Sequence, residues 1–218
     1  MKFIKKIIPD YSIFPLAAML ALNYLAYFGT RLFTEGMTHY DISTPLDRRI
    51  PYVSVFIVPY LLAFLQWIIG YICIGRQSKE YCYRVMYGEM ISKVLVGIIF
   101  VAFPTIMVRE AVTGNGLLDK VVAGLYSLDA PTNLFPSVHC LESYICMKFA
   151  IETKGLNRGF KIAMICMSIL VFLSTLFVRQ HVILDFFGAV AVAEMGRRAS
   201  EYIFAKRERI PEKNRNMV

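Results

Sequence analysis

Charge is what this chain has least of: only 18% of its 218 residues are Asp, Glu, Lys or Arg, against 57% hydrophobic. So apolar a composition does not suit an ordinary soluble domain. Histidine occurs three times and tryptophan once. The five cysteines, Cys73, Cys82, Cys140, Cys146 and Cys166, are odd in number, contain no C-x-x-C pair and lie mostly in apolar stretches. That pattern points to neither a zinc site nor a disulfide framework. No internal repeat or low-complexity tract divides the chain, so residues 1–218 read as one domain.

The apolar residues gather in runs close to the roughly 20 residues that a helix needs to cross a hydrocarbon layer. Spans are expected near Ile13 to Gly29, Val53 to Ile74, Met90 to Val108, Leu134 to Ile151, Ile162 to Val178 and Val182 to Met195. The fold class is therefore an all-α polytopic membrane protein, a bundle of six transmembrane helices. A basic amino terminus, Met1 to Lys6, precedes the first run as in a secretory signal, but Pro9, Asp10 and the length of the run favour a retained span.

The net charge is +8. Its cations fall between the apolar runs and in the tail from Arg197 to Arg215, which suits an anionic membrane surface and not nucleic acid. Alternate connections carry sixteen Lys and Arg on one side and six on the other. The excess marks the cytoplasmic side. Both termini are then cytoplasmic, the connections 30–52, 109–133 and 179–181 lie outside, and Lys93 and Lys148 are expected to snorkel from inner helix ends.

Two histidines, His139 and His181, fall at the outer ends of the fourth and sixth spans, where an ionisable group is costly. Each alone is equally well an interfacial residue. His181 precedes Asp185 by four residues, so the carboxylate lies one helical turn away, where it can orient the imidazole. An i, i+4 pair is by itself common. Ser137 stands as an N-cap before an apolar helical run, and the free N–H groups of that helix start favour an anion beside His139.

The segment Phe135-Pro136-Ser137-Val138-His139, followed by Ser174-Thr175 and then His181 with Asp185, resembles the type 2 phosphatidic acid phosphatase superfamily, including its lipid phosphotransferase branches. The resemblance covers the chain from the third span onward, about 103–195, and the first two spans only by topology. It implies that His181 attacks phosphorus to form a phosphohistidine, that Asp185 supports it and that His139 protonates the leaving group. Ser137 and nearby amides, with Arg109, Ser174 and Thr175, would bind the phosphate. The resemblance implies no metal and no cofactor.

The departures weaken the cation set. The superfamily's first motif survives only in its arginine, Arg109, with Ala102 at the place of the lysine and Glu110 at that of the proline. Thr175 stands where the third motif has arginine, and Val138 where the second has glycine. Arg179, two residues before His181, either replaces a lost cation or only marks the membrane boundary. Glu142, one turn below His139, and Glu194 are expected to pair with polar neighbours, and His39 reads as an exposed loop residue.

The expected activity is metal-independent hydrolysis of a lipid phosphate ester or pyrophosphate, with the bilayer and the lipid as partners and the site on the outer face of a bacterial plasma membrane. Transfer of the phospho-headgroup to a lipid alcohol is the first alternative. A non-enzymatic membrane protein, such as a transporter or a haem carrier using both histidines, is the second. A catalytically dead relative is the third. Substrate headgroup and oligomeric state are not readable from the residues.

Overall fold

The computed structural model describes residues 7–208. The amino-terminal cations Lys2, Lys5 and Lys6 and the tail cations Arg209, Lys213 and Arg215 lie outside the described residues.

Pro9 opens α1, Asp10–Tyr24, which continues through a π-helical turn, Leu25–Gly29, into α2, Thr30–Thr34. The helix thus runs past the expected end at Gly29 and includes Arg31, and within it the Thr30 hydroxyl donates to the Ala26 carbonyl (2.6 Å). The connection that follows holds a two-residue strand β1, Tyr40–Asp41, and a 3-10 turn at Asp47–Arg49. Helix α3, Ile57–Gly75, matches the second expected span.

The third expected span is displaced. Helix α4 runs over Lys79–Ala102, because the Ser78 side chain caps its start by accepting from the Tyr81 amide (3.1 Å). At the other end Pro104 cannot continue it. Residues 103–108 are thus not helical, and Thr105–Ile106 form β2, which pairs in parallel with β1. Within the 109–133 connection lies a short helix, α5, Leu117–Leu128.

Helix α6 covers Val138–Glu152 and α7 covers Arg158–Phe177, the latter capped by the Asn157 side chain. Helix α8, Ile183–Glu208, carries on well beyond Met195. Good helix formers and the exposed pair Arg197–Glu201 (2.6 Å) support that extension.

Four segments are long and apolar enough to cross a membrane: Asp10–Thr34, Ser54–Gly75, Lys79–Ala102 and Arg158–Phe177. The other two expected spans are α6 and α8. Helix α6 has only 15 residues and buries polar ones, among them Glu142 and Ser143, inside the bundle. Helix α8 carries Asp185, Glu194, Arg197 and Arg198. A helix enclosed by other helices needs no apolar circumference.

The starts of α6 and α8 share one end of the bundle, the histidine end, while the start of α1 and the end of α8 share the other, the terminal end. Between them, Val96 and Phe100 of α4 pack on Cys140 and Leu141 of α6 and on Ala189, Val192 and Ala193 of α8.

Lys93 does not snorkel. Its side chain is fully buried and its ammonium bonds the Glu142 carboxylate, whose other oxygen accepts from the Tyr71 hydroxyl. Lys93 sits in mid-helix, and a partner on the facing helix is the cheaper way to satisfy its charge. Lys148 pairs instead with Glu152 (2.6 Å) and Glu194 (3.6 Å) near the terminal end.

Helices α4 and α8 make the closest crossing, through Gly88 and Gly196. A Cβ on Gly196 would lie 2.2 Å from both the Gly88 carbonyl oxygen and the Ser92 hydroxyl. The same approach lets Ser92 donate to Gly88 (3.0 Å) and to Val192 (3.2 Å). Small residues permit such backbone contact where lipid supplies no hydrophobic drive. Gly196→Leu should therefore destabilise the protein by about 1–3 kcal/mol or more, read as a lowered Tm in detergent. Gly124→Ala, at a site with open space, should leave Tm unchanged or raise it slightly. Equal Tm values for the two variants would contradict the crossing.

Candidate active site

The turn between α7 and α8 builds the centre of the site. Thr175 accepts from the Gln180 amide (2.9 Å) and Leu176 from the Arg179 amide (3.1 Å), the paired bonds of a Schellman ending. The residue that must turn left-handed is Arg179, with φ of 51°. A residue with a Cβ is held there at a cost of about 1–3 kcal/mol unless its surroundings compensate. They do so through its guanidinium, which donates to the carbonyls of Asp47 (2.8 Å) and Ile50 (2.5 Å) and ties the first connection to this turn.

Asp185 is completely buried. Its Oδ2 accepts from the Val182 amide (3.0 Å), capping the start of α8, and meets His181 Nδ1 at 2.9 Å. A carboxylate only accepts, so the proton of the neutral imidazole sits on Nδ1 and Nε2 keeps its lone pair. The Asp185 carbonyl accepts from the Ser137 amide (3.2 Å), which fastens the start of α6 to the start of α8.

Ser137 is the N-cap of α6, and its hydroxyl accepts from the Cys140 amide (3.2 Å). In the first turn of that helix His139 stacks on Tyr60 of α3, with ring centroids 4.3 Å apart, and meets Trp67 edge-on at 5.1 Å. Its Nε2 is buried with no hydrogen-bond partner. The His139 and His181 rings are 6.3 Å apart between centroids and tilted by 52° to one another.

Two cavities meet at His181. The first, of about 330 Å³, is polar: it is lined by Arg48, Arg179 and Ser43 together with the acids Asp41, Asp47 and Glu110. Hydrogen bonds from Ser43 hold the Asp41 carboxyl below the usual carboxylate range. The second, of about 500 Å³, is mainly apolar and contains both histidines. Its walls are α1 with the π turn, α3, and the end of α5, and Leu20, Tyr24, Phe64 and Leu128 along it are exposed.

Of the residues singled out in the sequence, His139, His181 and Asp185 come together. Arg179 lines the polar cavity while serving as the loop tether. Arg109 spends its donors on the carbonyls of Arg179 (3.1 Å) and Asp129 (2.6 Å) and on Gln180 Oε1 (2.7 Å), and it lies over the Tyr126 ring. Burial pushes its pKa down from the ordinary value. Ser174 and Thr175 turn their hydroxyls back to the carbonyls of Val171 (2.7 Å) and Phe172 (2.9 Å), and neither lines either of these two cavities.

Glu142 and Glu194 pair as expected, Glu194 with Arg197 (2.5 Å) and the Tyr144 hydroxyl (2.7 Å). The His39 ring bonds only the nearby Met37 carbonyl (2.9 Å) at the surface.

Sequence reading missed Arg48, an exposed cation on the polar cavity, and Asp47, whose Oδ1 accepts from the Ile183 amide (2.7 Å) at the start of α8. A signal for Asp47 was present. Thr44-Pro45-Leu46-Asp47 is a capping-box spacing, and Thr44 and Asp47 do exchange bonds (2.8 and 3.3 Å). Among the described residues no group of three or more His, Cys, Asp and Glu side chains is placed to hold a metal ion.

Two outcomes follow from this geometry. Nitrogen NMR of labelled protein near neutral pH should find His181 protonated at Nδ1 in its neutral form, and Asp185→Asn should perturb that preference. An Nε2-protonated His181 in the wild type would contradict the pairing. Arg179→Ala should cost about 1 kcal/mol more stability than Arg179→Gly, because alanine keeps the left-handed penalty and glycine does not. Thermal unfolding of the two variants measures it.

No family model, no curated protein and no solved structure matches this chain.

Proposed function

We propose that this chain is a membrane-embedded phosphohydrolase that cleaves a phosphate ester or pyrophosphate of a lipid through a phosphohistidine. In this reading six helices cross the bilayer, the terminal end faces the cytoplasm and the histidine end faces outward. The observation that carries it is the position of His181. Its Nδ1 is engaged by the buried Asp185, and its ring stands where a polar cavity meets an apolar one that also holds His139.

An amphiphilic substrate fits that junction. Its hydrocarbon would lie in the 500 Å³ cavity between α1 and α3, and its phosphate would sit beside Arg179 and Arg48 at the polar side. The lone pair of His181 Nε2 attacks phosphorus, the bond from phosphorus to the lipid oxygen breaks, and that oxygen takes a proton from His139. His139 then accepts a proton from water, which attacks phosphorus and breaks the phosphorus–nitrogen bond. Asp185 stabilises the charge that His181 gains in the first step.

The resemblance in the segments 135–139 and 174–185 supports the same assignment. Arg109 enters it as a brace of the 178–182 turn and not as a phosphate ligand. Transfer to a lipid alcohol is a second reading, favoured by the apolar cavity itself: an acceptor lipid would reach the phosphohistidine by the route the first lipid takes.

Purified protein in detergent, with EDTA present, should release phosphate from at least one of phosphatidic acid, phosphatidylglycerol phosphate and undecaprenyl pyrophosphate. His181→Ala should abolish release, and His139→Ala should slow it by about 10²–10⁴-fold. Rapid quenching should trap phosphate on His181. Product formed only when a lipid alcohol is supplied would establish transfer in place of hydrolysis. Full release by His181→Ala would end both readings.

A further inference from the structure

The polar groups inside the bundle hold one more carboxyl than the ion pair explains. Glu89, on α4 one turn before Lys93, is 1% exposed, and neither of its carboxylate oxygens has a hydrogen-bond partner. The one buried ammonium nearby, Lys93, already bonds Glu142, and the Tyr71 hydroxyl also goes to Glu142. If both carboxyls were ionised, two negative charges would face one positive charge in the membrane interior. An unpaired buried charge costs far more than a neutral acid, and a proton is the cheapest way to remove it.

Glu89 also has a route to water. It lines a cavity of about 60 Å³ with Ser92. That is room for a few water molecules at about 10–15 Å³ of such space each. The cavity lies toward the terminal end, away from His139 and His181.

Titratable groups from five helices surround Glu89. On α4 they are Tyr81, Arg84 and Lys93, and on α3 Tyr71. On α6 they are Glu142, Tyr144, Cys146, Lys148 and Glu152, and on α8 Glu194 and Arg197. Helix α1 brings Tyr11, whose hydroxyl is spent on the Gly75 carbonyl (2.8 Å). The three cations around the cavity, Arg84, Lys148 and Arg197, are each paired with acids other than Glu89. Nothing on these surfaces offers Glu89 a positive partner of its own.

We propose that Glu89 is a proton-binding site in the interior of the bundle, loaded from the terminal end through the cavity beside Ser92. With its proton the group of Glu89, Lys93 and Glu142 is neutral overall, and without it the group carries one net negative charge a turn below His139. The site does not depend on the activity proposed for the histidines.

Infrared difference spectroscopy of wild type against Glu89→Gln tests it without any assay of catalysis. At neutral pH the wild type should show the carbonyl stretch of a protonated carboxylic acid that the variant lacks. That band should shift down within minutes in D₂O and disappear at high pH. The wild type alone gives a second reading, since dicyclohexylcarbodiimide modifies protonated membrane carboxyls. Mass spectrometry should find the adduct on Glu89 and not on Glu142, with a yield that falls as pH rises. No difference band at neutral pH, a band exchanging only over hours, or an adduct on Glu142 instead would each overturn the proposal.

Discussion

A buried carboxylate is held by its neighbours, and the bonds that Asp185 makes through one of its two oxygens arrange the whole histidine end. One oxygen takes both the Val182 amide and His181, so the cap that starts α8 is also the group that orients the imidazole. Its backbone carbonyl takes the Ser137 amide, so the start of α6, and His139 with it, is set against the same residue. Helix register, ring orientation and the relation of the two histidines thus follow from one side chain and its own peptide group. Moving it would unmake all three.

Around that node the arginines act mainly as structure. Arg179 holds a left-handed backbone in place with bonds to Asp47 and Ile50, and Arg109 braces the same turn from the 109–133 connection. Asp47 returns the contact by capping α8 through the Ile183 amide. The 30–52 and 109–133 connections are therefore folded onto the turn that carries His181, and they shape the polar cavity. Only Arg48 and Arg179 supply positive charge to its walls, against three acids. Such a balance favours an anion only close to the two guanidinium groups, beside the imidazole.

Further inside, the bundle is held by buried polar bonds and by close backbone contacts. The Lys93–Glu142 bond joins α4 to α6 and Tyr71 joins α3 to the same carboxylate, while Gly88 and Gly196 bring α4 and α8 into backbone contact. Removing one member of a buried pair strands a charge at a cost of about 3–5 kcal/mol. These contacts give α6 and α8 their places among apolar helices although neither is apolar enough on its own.

The amino-acid sequence by itself determined what depends on local pattern. Apolar runs located the helices, because a helix that meets hydrocarbon must be apolar along its length. The spacing of His181 and Asp185 pointed to their contact, but not by a helical turn: His181 lies two residues before α8, and Asp185, at the third position of that helix, reaches back over its start. Ser137 was legible as a cap because capping is set by residues within one turn of the helix start. What the pattern could not carry was any property set by a distant partner. Lys93 looked like a charge at a helix end and is instead buried, because Glu142, 49 residues on, faces it. The α4 boundaries moved because Ser78 and Pro104 decide where that helix begins and stops, whatever the hydropathy beside them. Arg109 reads in sequence as a phosphate ligand and Arg179 as either a replacement cation or a boundary mark; that both donate to carbonyls, Arg179 to one 132 residues away, is visible only in the tertiary structure. Charge and hydropathy are local, but the partner that satisfies a buried charge is chosen by packing.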